Sequence, residues 1–106
     1  MRREYNKLVR DRIPDIIRQD GRQCEIAILS REEHIQALKQ KLVEESQEAA
    51  QADDRGIIKE LADLYEVIDS LIAAQGIDRE TIVAKQEQRR LTRGSFDGRV
   101  FLLWTD

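Results

Sequence analysis

From Ile35 onward, apolar residues recur at helical spacing: Ile35, Leu38, Leu42 and Ala49 form one stripe among polar positions. Ser30 followed three residues later by Glu33 is a capping box, so the pattern predicts a helix that opens at Ser30 and runs to about Ala52. "ADDRG" interrupts it. A broader apolar face made by Ile57, Leu61, Leu64, Tyr65, Ile68, Leu71 and Ile72 then predicts a second long helix from about Gly56 to Ala74. Gly76 ends that helix, Asp78 caps the next, and "RETIVAKQEQRRLTR" predicts a third, mostly polar, closed by Gly94. Upstream, "DRIPDIIRQDG" predicts a short first helix with Asp11 as cap, Pro14 in the first turn and Gly21 as stop.

In "CEIAIL" the period changes to two, which predicts a short strand bounded by Gly21 and Ser30. A lone strand leaves its backbone groups unpaired, and "RVFLLW" near the other end is the second candidate. The two are expected to pair into a minimal ribbon, with Phe96, Phe101 and Trp104 packing it onto the helices. The expected fold class is therefore all-α: a helical bundle with a short terminal strand pair, forming a single domain over residues 1–106.

Composition narrows the function classes. The chain has 106 residues, 41% hydrophobic and 37% charged, and no apolar run approaches the length of a membrane span. "MRREYNKLVR" is basic but lacks the apolar centre of a signal peptide, so the expected location is the cytoplasm. Cys24 is the single cysteine, which leaves neither a disulfide framework nor a cysteine zinc site. The net charge of −3 conceals strong regional contrast. Residues 1–12 hold five basic groups against two acids, residues 30–69 hold eleven acids against five basic groups, and residues 85–99 are basic again. A nucleic-acid polymer would call for one dominant basic stripe, whereas this alternation suits a ligand that carries both phosphate and metal.

The acids are concentrated in "KLVEESQEAA" and "KELADL". Glu45 and Glu48 stand three apart on one predicted helix, and Glu60 and Asp63 three apart on the next. Eleven residues separate Glu48 from Glu60, with the turn near residues 53–55, so both pairs sit at comparable heights on adjacent helices. Acidic clusters on helices are often solvated faces. Glu45, however, falls inside the apolar stripe, and Lys41 is one cation at helical spacing for several acids. Oxygen donors converging without histidine or cysteine favour a hard cation such as Mg²⁺. Neither a glycine-rich phosphate loop nor a Ser/His/Asp arrangement is visible.

"EESQE" at 44–48 followed by "ELAD" at 60–63 resembles the EExxE…ExxD signature of the MazG-like all-α nucleoside triphosphate pyrophosphohydrolases, a superfamily that includes phosphoribosyl-ATP pyrophosphohydrolase and dimeric dUTPases. "YNKLVRDRIPDII" and "RRLTRGSFDGRVFLL" resemble a small bacterial, archaeal and phage branch of it. One departure is the short stretch between the two acidic motifs, which has no room for a long loop. The resemblance implies Glu45, Glu48, Glu60 and Asp63 as ligands of Mg²⁺, with Mn²⁺ as a substitute, and Glu44 and Glu45 as the acids nearest the attacking water. It implies hydrolysis between the α- and β-phosphates of a nucleoside triphosphate, non-canonical ones included, to a monophosphate and pyrophosphate. Phosphoribosyl-ATP of histidine synthesis is the alternative substrate, and a non-enzymatic helical oligomerisation module is the reading from another class.

"NKLVRD" belongs to the resembling branch, so Asn6, Lys7 and Arg10 are candidate substrate-binding residues. Lys85, Arg89 and Arg93 recur every four residues as a basic ladder that could clamp phosphates or simply face solvent. His34 is expected on the surface, and Tyr65 in the core or at a subunit interface. The resemblance also implies a homodimer or homotetramer, and the short chain agrees.

Overall fold

The capping box forms as expected: the Glu33 N–H donates to Ser30 Oγ at 3.2 Å and the Ser30 N–H donates to Glu33 Oε1 at 3.0 Å. The bond from the Ser30 N–H foremost, with the Ser30 side chain adding to it, holds the Glu33 carboxyl below its usual range. The computed structural model describes residues 2–106. From this cap, α2 runs Arg31–Gln51, preceded by α1 at Ile13–Gln19 and followed by α3 at Ile57–Ala74 and α4 at Arg79–Arg93. Asp53 shapes the turn after α2, its Oδ1 accepting from the Arg55 and Gly56 N–H groups at 3.1 and 2.9 Å. α3 stops at Gly76, whose φ of 69° is open to glycine at no steric cost. Asp78 then caps α4 by accepting from the Glu80 N–H at 3.1 Å.

α2 and α3 form an antiparallel hairpin that carries the core. Ile35 and Leu38 of α2 and Val67 of α3 are its buried apolar residues, Leu38 most completely at 3% exposure. Leu42, Ala49, Leu64 and Leu71 are half-buried around them. The face that α3 turns to α2 thus centres on Val67, which the apolar pattern did not single out. Leu61 and Ile68, expected on the apolar core-facing side, lie on an outer face and are exposed, and Tyr65, expected in the core or at a subunit interface, is 69% exposed and so is not in the core of this chain. His34, expected on the surface, is half-buried. A core this small makes each member count, so Leu38→Ala is expected to cost about 2–5 kcal/mol. A urea titration followed by circular dichroism measures it.

Two further expectations fail. α1 begins from Arg12 rather than Asp11, with no side-chain cap. No strand forms among the described residues, and neither 24–29 nor 99–104 joins a ladder. An isolated two-stranded ribbon is marginal in water, and nothing in the chain draws these segments together. Phe96, Phe101 and Trp104 consequently pack on nothing and are exposed. α4 meets α3 only near its start, where Arg79 Nη2 lies 3.8 Å from Asp69 Oδ1, and its later residues are solvent-exposed.

Candidate active site

Glu45 points from α2 into the α2–α3 seam and is 8% exposed. It lies seven residues after Leu38, two helical turns along the same face, so the face that builds the core also aims this carboxylate inward. Glu60 and Asp63 stand on the face of α3 that carries Val67 further along, and this register brings them opposite. One carboxylate oxygen from each of Glu45, Glu60 and Asp63 lies within 4.8 Å of the others. Glu45 Oε2 and Glu60 Oε2 are both buried without a hydrogen-bond partner. Leaving such an acceptor unpaired costs about 1–3 kcal/mol, so two in one seam point to a partner outside the polypeptide.

Cations press on this cluster from three directions. Arg10 Nη2 donates to Asp63 Oδ1 at 2.8 Å, and Lys59 Nζ donates to Asp63 Oδ2 at 2.9 Å. Lys41 Nζ stands 3.9 Å from Glu45 Oε1, close enough for attraction and too far for a hydrogen bond. Lys7 Nζ approaches Glu44 Oε1 at 3.7 Å, so the N-terminal segment crosses the acidic hairpin. Asn6 precedes it with φ of 47°, a left-handed conformation that asparagine adopts more readily than most residues.

The charges split the acids into two kinds. Burial, reinforced by Glu48, pushes the Glu45 carboxyl above the usual range; Lys41 opposes this and Asp63 and Glu44 add to it. The Lys59 hydrogen bond holds Asp63 below its usual range against its partial burial, with Arg10 adding to the effect. Lys59 is raised in turn, chiefly by its bond to Asp63. Asp63 therefore holds its charge firmly, whereas Glu45 carries one at a cost that a bound cation would remove.

Of the residues expected at the site, Glu45, Glu60 and Asp63 meet, with Arg10 on Asp63 and Lys7 on Glu44. Glu48 is exposed and outside the group of three. Lys85, Arg89 and Arg93 lie exposed on α4. Lys85 Nζ donates to Gln88 Oε1 at 3.3 Å, and among the described residues none of the three forms an ion pair with the acids. Sequence reasoning missed Lys59, although its i,i+4 spacing to Asp63 was available as a signal. Because Arg10 and Lys59 occupy both oxygens of Asp63, they compete with any other cation for it. Arg10→Gln is thus expected to tighten divalent-cation binding by the substrate-free protein by up to about fivefold, the worth of an exposed ion pair. Calorimetric titration with Mn²⁺ reads it directly.

Acids converging from two packed helices, spaced EExxE and ExxD on an all-helical chain, place the molecule in the MazG-like class of nucleotide pyrophosphohydrolases. The chain belongs to the phosphoribosyl-ATP pyrophosphohydrolase family, whose model matches residues 3–90. It is accordingly an enzyme that acts on acid anhydrides, and the reading as a non-enzymatic helical module falls away. No curated protein and no solved structure matches the chain significantly. No helix of the described residues is long and apolar enough to cross a membrane.

Proposed function

We propose that the protein is a Mg²⁺-dependent nucleotide pyrophosphohydrolase that cleaves between the α- and β-phosphates of a nucleoside triphosphate, non-canonical ones included, releasing a monophosphate and pyrophosphate. The observation that carries this reading is the group of Glu45, Glu60 and Asp63, with two buried oxygens lacking any partner. Three carboxylates without a nitrogen or sulfur donor suit a hard divalent ion, Mg²⁺ or Mn²⁺ in its place. Glu48, one turn beyond Glu45, is the fourth candidate ligand. The ion supplies charge neutralisation for phosphate oxygens and acidifies water.

The polypeptide does the remaining work. Glu44, half-buried and next to Glu45 in the chain, is the group that would hold the attacking water and accept its proton. Lys7 and Arg10 reach the site from the N-terminal segment, where their charges would serve phosphate oxygens, Arg10 in exchange for its bond to Asp63 and Lys7 from beside Glu44. Asn6 sets the turn that delivers them. Lys85, Arg89 and Arg93 contribute a basic face that this chain does not bring to its own acids. The whole chain acts as one domain, residues 1–106, in the cytoplasm.

Phosphoribosyl-ATP is the second substrate reading, favoured by the description of the matching family. It shares the scissile bond and differs in the group on the base. Measuring pyrophosphate release across canonical triphosphates, non-canonical triphosphates and phosphoribosyl-ATP separates the two. No release from any of them with Mg²⁺ or Mn²⁺ would overturn both.

The active unit is a homodimer or homotetramer. Support for this comes from the outer face of α3, where Ile58, Leu61, Tyr65 and Ile68 stand exposed in a row at helical spacing.

A further inference from the structure

The two segments whose sequence reads as strand are also two that the chain leaves unpaired. Residues 23–29 and 100–106 exchange no backbone hydrogen bond with any other described residue. Both are apolar and open to solvent: Ile28 is 88% exposed, and residues 100–104 are 75–91% exposed. A run of Val100, Phe101, Leu102, Leu103 and Trp104, apolar on both sides, is the pattern of a strand covered on both faces. Within one chain nothing covers it.

The whole molecule carries the same mark. Its surface of 10148 Å² compares with about 6100 Å² for a compact monomer of this mass. Its radius of gyration of 18.4 Å compares with about 13 Å for a compact domain of this length. The excess of about 4000 Å² per chain is more than the share of about 1000–2500 Å² that each partner buries in a typical obligate interface, so the surface needed for a stable dimer is there. α4 touches little but α3 and its residues are exposed, and Arg99, with φ of 56°, turns the chain before the terminal run. The terminal run also lies beyond residue 90, where the family match ends.

We propose that residues 100–104 of one copy pair as a strand with residues 24–29 of a second copy, and reciprocally, forming two exchanged ribbons. The occupant is a second copy because each chain presents both halves once, so a two-fold arrangement satisfies all four segments and closes. The halves are complementary. Ile26 and Ile28 alternate on one side of the receiving segment, the arm is apolar on both sides, and Glu25 and Arg99 supply opposite charges at the two segments. This rests on the homo-oligomer read above and goes beyond it by naming the contact on which that assembly depends: the outer faces of α3 meet only once the ribbons hold the two chains together.

Two experiments test it. In a Cys24→Ala background, one set of chains carries Ile26→Cys or Ile28→Cys, and a second, mass-tagged set carries Phe101→Cys, Leu102→Cys or Leu103→Cys. Mixed by co-expression and mildly oxidised, at least one pairing is expected to give a covalent dimer holding one chain of each kind. When both cysteines share one chain, the same pairing is expected to give linked dimers, and closure within single chains would overturn the proposal. Light scattering on a chain ending at Gly98 is expected to give a monomer mass with helical circular dichroism retained. An oligomer mass for that truncated chain would overturn the exchanged ribbons and leave the homo-oligomer standing, whereas a full-length chain of monomer mass would end both.

Discussion

Glu45→Gln is expected to lower pyrophosphate release by about 100-fold or more on the best substrate, because it removes the charge of one of the three carboxylates that converge from α2 and α3. Glutamine is nearly isosteric, so the hairpin keeps its packing while losing the charge that would hold the ion. Asp63→Asn is expected to behave alike, for a further reason: Asp63 also anchors Arg10 and Lys59, and its loss frees both. The readout that separates a lost metal site from a general defect is the melting temperature with and without Mg²⁺. A ligand that binds only the folded state stabilises by mass action, about 2.7 kcal/mol at one hundred times its Kd. The unaltered protein is expected to show that rise and both variants to lose most of it. Wild-type turnover in both variants would refute the proposed site.

Much of this site could be read along the chain, since its logic is local. Glu45 carries its burial in its spacing from Leu38, and Glu60 and Asp63 share a helix face by virtue of being three residues apart. The short stretch between the motifs leaves the two helices little choice but to pack antiparallel, which sets the acids opposite. The ion pair from Arg10 to Asp63 spans 53 positions, and no periodicity announces a contact of that kind. The face of α3 was misjudged for a related reason. Its apolar residues cover more than half the helix circumference, so the pattern could not say which side meets α2, and Leu61 and Ile68 went outward while Val67 went in. The strand pair failed differently. Local pattern marked 24–29 and 99–104 as strand-forming, but pairing is a long-range event that one chain by itself does not supply. A sequence reports which segments want a neighbour more reliably than whose neighbour it is.

Glu45→Gln is also expected to stabilise the metal-free protein, by about 1–3 kcal/mol at neutral pH, even as it removes activity. The cost being relieved is that of a buried carboxylate whose Oε2 has no partner and whose nearest cation, Lys41, stays beyond hydrogen-bond distance. The sign of the pH dependence comes from the raised position of this carboxyl in the folded state. In the unfolded chain Glu45 titrates in the ordinary glutamate range, and in the folded chain it titrates above that range. Above the folded value both states are ionised and the folded one bears the full penalty. As pH falls through the folded value, the folded carboxyl takes up its proton first and the penalty shrinks. Glutamine carries no charge at any pH, so the gap between variant and wild type should be widest above the folded value and should narrow as pH falls through it. Asp63 works in the other direction: its pairs with Lys59 and Arg10 contribute stability that is lost as pH falls through its lowered folded value. That contribution is common to both proteins and largely cancels in their difference. Chemical denaturation of both in the presence of a chelator, from neutral pH down to the carboxylate range, measures the gap. A variant less stable than wild type at neutral pH would mean that Glu45 already has a favourable partner in the metal-free fold, and the orphaned oxygen would lose its meaning as the mark of a cation site.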